Sequence, residues 1–575
     1  MGQLCGRCLQ LLRDFVAMVQ RTSAELLHNI KECLILISSC SCLKQSSSKG
    51  RQLYKPILQP HERATAQEFL QHIQTGFKMS PLGKDTLEAL RTLAFSENPA
   101  LQQSAALYYL HMSQHMNVPL PVEHLEPFYA LLRSADLEVQ QMSSLSLVNF
   151  LLERNIDKEL VVQMGLLEPI LELLESGDPT VQCNSCACTM TLAISESNQE
   201  AIGAAQGITP LLALANSYDP RVQQNAVGAI LNLTQSEKIQ QVLCKEGALP
   251  ILTLLLESAD SEVQYYSCTA LSNMAANAQH HPAMLRTGDR FLLRALVSLL
   301  SSSVDKQVSS QACVCLRNLA TSADTQAEIV AHNVLPKLLS LLASGNKDVR
   351  CAAVALLWIL CQHPRNQDAL TCAELLQSLG MLLAAHKMDP VIVGHTACII
   401  QNLSLSKNRQ RIVESPCVEG LLQTMLSTDI QEDSLHYVTS CLAELAKQEG
   451  ATLHMVQWMD EPLTKCLLRL AGQLERTEPS FQAASVIQHM IGHEKMMLLL
   501  KCHVKEIQAY LKNFLTHQEI RFQQLGISTF CRLQEDPEFS LAFRKSQMTK
   551  LLEQVRQQTE ETQELLRAAN CHADS

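Results

Sequence analysis

The segments SLSLVNFLL, CACTMTLAI, AVGAILNLT, CTALSNMAA, ACVCLRNLA, AVALLWILC and TACIIQNLS follow one another at nearly equal steps. Asn149 in the first corresponds to Thr191, Asn232, Asn273, Asn318, Ile359 and Asn402 in the rest, at intervals of 42, 41, 41, 45, 41 and 43 residues. Ten residues before each stands a β-branched side chain: Val139, Val181, Val222, Val263, Val308, Val349 and Ile392. A fixed period with apolar residues at helical spacing means that one structural unit is copied and stacked. The chain is also too long for one ordinary core. Single cores stop growing near about 250–300 residues, and this chain has 575.

Each unit reads as helices separated by breaks. Asp178-Pro179, Asp219-Pro220 and Asp389-Pro390 mark a turn in which proline breaks one helix from the next. Upstream lie apolar helices opened by Gly165 and Pro169, Gly207 and Pro210, and Gly247 and Pro250. A unit of about 40–47 residues made of two or three helices is the signature of armadillo and HEAT arrays. The expected fold is therefore all-α: an armadillo-repeat, right-handed superhelical solenoid of about 9–11 repeats. Weaker copies begin near Leu101, Leu435, Phe481 and Phe522. The expected division is an N-terminal Cys-rich segment 1–60, a solenoid 61–545 and a C-terminal helix or tail 546–575.

The recurring Asn falls late in the third helix of its unit, on the side that lines the concave groove of such folds. Its amide offers donor and acceptor together. Two readings stay open. The row Asn149, Asn232, Asn273, Asn318 and Asn402 either holds the backbone of an extended partner peptide or bridges neighbouring repeats. Nuclear-import adaptors place Trp one turn before the Asn to clamp Lys side chains. Here those positions are Leu145, Ala187, Gly228, Thr269, Val314, Ala355 and Cys398, which disfavours a receptor of that kind. Arg317 precedes Asn318 directly where other repeats have Val148, Leu231 or Ser272. With Arg221 and Arg350 it is a candidate for acidic partner side chains, set against a solvated or intramolecular ion-pair role.

Composition narrows the partners. Lys plus Arg number 46 against 57 Asp plus Glu, a net charge of −11, so nucleic acid is not an expected ligand. The 22 cysteines fall mostly in apolar helical pattern, as Cys186, Cys268, Cys315, Cys351 and Cys398 do. They read as small core hydrophobes of a reducing compartment. Cys183, Cys186 and Cys188 look metal-like but lie across one helix, so core packing is the reading preferred over zinc. No phosphate-binding loop, zinc-protease or serine-hydrolase motif is present, and neither catalysis, a cofactor nor a metal is expected.

The first 48 residues differ. Gly2, Cys5 and Cys8, then Cys40 and Cys42 ahead of a Ser run, read as lipidation candidates; Cys5-x-x-Cys8 as half a zinc site is the rival. One myristoyl chain binds membranes only marginally, and a second acyl group makes the anchor stable. Residues 9–35 carry Leu12, Phe15, Val16, Val19, Leu26, Leu27, Ile30 and Leu34 at helical spacing, fit to dock on the solenoid or lie on a membrane.

Taken together, SCSCLK at 39–44, LEPI at 167–170, VQCN at 181–184, RVQQNAVGAILN at 221–232, EVQYYSCTALSNMA at 262–275 and LRNLA at 316–320 resemble the vacuolar protein 8 family of armadillo (beta-catenin-like) scaffolds. The resemblance covers most of the chain from about residue 39. It implies a peripheral protein on the cytoplasmic face of the vacuole or lysosome membrane, also found in the cytosol, anchored by myristoyl and palmitoyl groups. Its groove takes peptide segments of other proteins, in vacuole inheritance, organelle contact and cytoplasm-to-vacuole targeting. Self-association stays open. In the family the Cys cluster follows the initial Met-Gly; here 38 residues precede it, so Gly2 matches by position and Cys40 and Cys42 by motif.

Overall fold

The computed structural model describes residues 58–74, 82–301, 306–384, 389–408, 410–426, 432–546, 548–552, 555 and 559–573. Gly2, Cys5, Cys8, Cys40, Cys42 and the stretch 9–35 lie outside them. Every regular element among the described residues is a helix. The helices come in threes, as in Glu196–Ala204, Ile208–Leu214 and Pro220–Leu233.

The long third helices carry the pattern. They are α1 (Pro99–His115), α2 (Leu137–Leu152), α3 (Pro179–Leu192), α4 (Pro220–Leu233), α5 (Ser261–Ala275), α6 (Lys306–Leu319), α7 (Lys347–Cys361), α8 (Pro390–Leu403), α9 (Glu432–Ala446), α10 (Thr477–Met490), α11 (Ile520–Gln534) and α12 (Glu560–Ala573). Eleven are the copies visible in the sequence; α12 has no ladder motif. The chain divides into two compact units, one reaching Ala295 and one beginning at Leu296. In the first, α1 to α5 pack each on the next; in the second, α6 to α12 do the same.

Local chemistry explains where these helices start. The Asp-Pro pairs do more than break a helix: they open one. Asp178 caps α3, its carboxylate accepting from Val181 N at 2.9 Å, and Asp219 caps α4, accepting from Arg221 N at 2.9 Å. Proline takes the first helical position, where its missing N–H costs nothing. Asp136, Asp260, Asn346 and Asp389 cap α2, α5, α7 and α8 in the same way. Before the second helices the chain needs one left-handed residue. Gly165 (φ 77°) and Gly247 (φ 84°) supply it, whereas near Gly207 the residue before, Gln206, takes φ 59°.

The β-branched row is the core. Val139, Val181, Val222, Val263 and Val308 are fully buried, and Val349 and Ile392 almost so. Each contributes roughly 1.5–3 kcal/mol of burial, which only stacking makes available to a single unit. Cys186, Cys268, Cys315 and Cys398 are buried as expected, but Cys351 is half-buried beside the Lys347–Asp389 ion pair (2.6 Å). Among the described residues no helix is long and apolar enough to cross a membrane.

Candidate functional site

The Asn row sits near the C-terminal ends of the third helices, and its amides reach back to the preceding repeat. In the first unit Asn149 Nδ2 donates to Ser113 Oγ (3.0 Å), Asn232 Nδ2 to the Met190 carbonyl (2.7 Å) and Asn273 Nδ2 to Thr234 Oγ1 (3.0 Å). In the second, Asn402 Nδ2 donates to Cys361 Sγ (3.4 Å). The bridging role is therefore real. It leaves each amide a second N–H and an oxygen. Exposure then separates the members: Asn149 and Asn232 are 3% and 7% exposed, while Asn273, Asn318 and Asn402 are half-buried.

The row runs further than Asn marks it. His111, His489 and Arg532 hold the equivalent place in α1, α10 and α11. Arg532 Nη1 donates to the Gln488 carbonyl at 2.9 Å, in the manner of Asn232 toward Met190. Thr191 turns inward instead, its hydroxyl donating to the Ala187 carbonyl of its own helix (2.9 Å). A second polar row lies seven residues upstream, two helical turns away. There Asn184 Nδ2 donates to Ser144 Oγ (3.0 Å) and Asn225 Nδ2 to the Cys183 carbonyl (3.2 Å).

The three arginines occupy three different environments. Arg221 is at the start of α4, paired with its own cap: Nε donates to Asp219 Oδ1 (3.2 Å) and Nη2 to Oδ2 (2.9 Å). The guanidinium holds the Asp219 carboxyl below the usual carboxylate range. Arg350 Nη1 donates to the Ser344 carbonyl at 2.6 Å. Gln140, Gln182 and Gln223 do this for the Ser134, Ser176 and Ala215 carbonyls of their repeats, at 2.8, 2.6 and 3.0 Å. Arg350 thus holds a loop. Arg317 is half-buried beside the row, Nη2 donating to Asn318 Oδ1 at 3.2 Å, and forms no ion pair among the described residues. Its charge reaches His395 of α8, which burial first, and Arg317 second, push below the ordinary His value.

Near Arg317 the structure assembles groups that the sequence pattern did not single out. Trp358 of α7 lies one residue before Ile359, and its indole stacks on His395 with centroids 4.9 Å apart and planes 17° apart. The place of the import-adaptor Trp is closed in α4: a Cβ on Gly228 would stand 2.5 Å from Met190 Sδ. Cys183, Cys186 and Cys188 are packed in the core of α3, where burial pushes the Cys183 thiol up to about 11 and Cys186 well above its ordinary value. Protonated thiols are poor metal ligands.

Stacked helix triplets joined by a polar row define an armadillo-repeat protein. Residues 211–426 match the armadillo-like family model and 155–189 the armadillo/beta-catenin-like repeat. The vacuolar protein 8 of Schizosaccharomyces pombe is 32% identical over 500 residues, 86% of this chain and 89% of that one. The Komagataella pastoris vacuolar protein 8 matches locally, 35% over 126 residues, 22% of each chain. The chain belongs to the vacuolar protein 8 family. The fold is also that of an engineered protein (TM-score 0.60, 23% identity, 71% of this chain and 98% of that one). It is shared with a solved chain from work on the phosphorylation switch between cadherin and beta-catenin (TM-score 0.63, 14% identity, 85% and 98%).

Proposed function

We propose that this chain is a non-catalytic armadillo adaptor at the cytoplasmic face of the vacuole or lysosome membrane. Lipid groups on Gly2 with Cys5 and Cys8, or on Cys40 and Cys42, hold it there. Extended segments of partner proteins lie along the third helices, in vacuole inheritance, organelle contact or cytoplasm-to-vacuole targeting. Family membership supports the organelle and the scaffold role. The observation that carries the grip is Arg317: a half-buried guanidinium beside Asn318, with no carboxylate paired to it among the described residues. Half-buried Asn273 and Asn402 keep amide groups for a peptide backbone.

The grip is tested by Arg317→Glu. Pull-downs with this variant are expected to lose groove partners while the melting temperature holds; equal recovery of the same partners overturns the contact. The anchor is tested by Cys40→Ser with Cys42→Ser, and by Gly2→Ala, with fractionation and fatty-acid labelling. Unchanged membrane association of both variants overturns the anchor at these residues; a wild type found in the cytosolic fraction without label leaves a soluble cytosolic adaptor of signalling or junctions.

A further inference from the structure

The Asn row is interrupted in the second unit. Ile359, half-buried and apolar, stands in α7 where Asn318 and Asn402 stand in α6 and α8. Directly before it Trp358 lies half-buried, stacked on His395. His395 comes two turns before Asn402 on one helix, the place that Asn184 and Asn225 take in their repeats. Arg317 holds in α6 the position that Trp358 holds in α7, and α6 packs on α7 as α7 does on α8. An aromatic shelf and a cation thus lie one repeat apart on the side of the row.

The interruption has a chemical consequence for any chain laid across it. A peptide N–H passing an Asn finds an acceptor. Passing Ile359 it finds none, and an unpaired, desolvated N–H weakens binding about tenfold. Proline has no N–H to lose, and aromatic-lined grooves are the usual docking place of proline rings. Arg317 draws a carboxylate by a charge-assisted hydrogen bond. Packed helices lie roughly 8–10 Å apart, and an extended chain advances about 3.3–3.6 Å per residue, so one repeat matches about two to three residues. The geometry points to a partner segment with a proline on the Trp358–His395 shelf and an Asp or Glu about two or three residues away on Arg317. This rests on the peptide-gripping function proposed above and adds the side chains that are read.

The chain has two tryptophans, so Trp458→Phe in the full-length protein leaves Trp358 as the only indole reporter. Synthetic peptides of about ten residues with Glu and Pro about two or three apart, in both orders, are titrated against it. Companion peptides carry Ala for the Pro or Gln for the Glu. The expected result is a saturable change in Trp358 emission and about tenfold weaker binding without the proline. Ile359→Asn, which restores the row, is expected to bring the Pro and Ala peptides to equal affinity. Equal binding of Pro and Ala peptides by calorimetry, with emission unmoved but the Gln peptide weakened, overturns the shelf and leaves the groove standing. No binding by any peptide, with Arg317→Glu indistinguishable from wild type, removes the groove and the shelf together.

Discussion

Asn232 crosses from one repeat to the one before it: its Nδ2 donates to the Met190 carbonyl at 2.7 Å, and both groups are shielded from water. Removing the amide leaves a buried carbonyl without a partner, a loss of about 1–3 kcal/mol. Asn232→Ala is expected to lower the unfolding free energy by that amount. Asn402→Ala is expected to cost less, because its acceptor is a thiol sulfur at 3.4 Å and the residue is half-buried. Urea unfolding of the two variants side by side checks the order; a larger loss for Asn402→Ala contradicts it.

Arg350 is expected to act on stability rather than on partner binding. Arg350→Gln installs the residue that serves Gln140, Gln182 and Gln223, and is expected to stay within about 0.5 kcal/mol of wild type. Arg350→Leu strips the Ser344 carbonyl of its donor and is expected to cost about 1–2 kcal/mol. Partner recovery in pull-downs is expected to be unchanged for Arg350→Gln.

Acid is expected to destabilise the fold through histidines that it buries in whole or in part. Burial is the first cause that lowers His111, His124, His280 and His395 from the ordinary 6.5; His115, Arg91, His281 and Arg317 respectively add to it, and Glu123 opposes it at His124. Below 6.5 the unfolded chain takes up protons that the folded chain refuses, so stability falls as pH drops through that value. Melting temperatures are expected to decline between pH 7.5 and 5.5, about the ordinary His range, and less steeply in His124→Gln. A flat profile over that window counts against the assignment.

Gly228 and Met190 are expected to behave as a coupled pair. Gly228→Ala forces Met190 Sδ aside from a separation of 2.5 Å; overpacking of this kind costs typically about 1–3 kcal/mol. Adding Met190→Ala is expected to recover part of that loss, since the Asn232 acceptor is a main-chain carbonyl and survives the change. A double-mutant cycle that is strictly additive rules the coupling out.

The fold was legible because stacking repeats the same burial at the same spacing: Val139 to Ile392 marked the core, and Asn149 to Asn402 marked the row. The rest was harder for identifiable reasons. Arg532 does the work of an Asn with a different functional group, so identity hid it. Arg350 reads in the sequence as a candidate for acidic partner side chains, and only the bonds of Gln140, Gln182 and Gln223 to their loop carbonyls reveal what its position does. Trp358 was visible as one of two tryptophans, but its partner His395 lies 37 residues on, and only the packing of α7 on α8 joins them. The start of α12 carries no ladder motif at all.

A side chain that cements adjacent repeats is costly to exchange when a new ligand must be accommodated. Within this chain the residues just upstream, Val148, Met190, Leu231, Ser272, Arg317, Trp358 and Gln401, differ at every step, so chemical variety along the stack is carried beside the mortar and not by it.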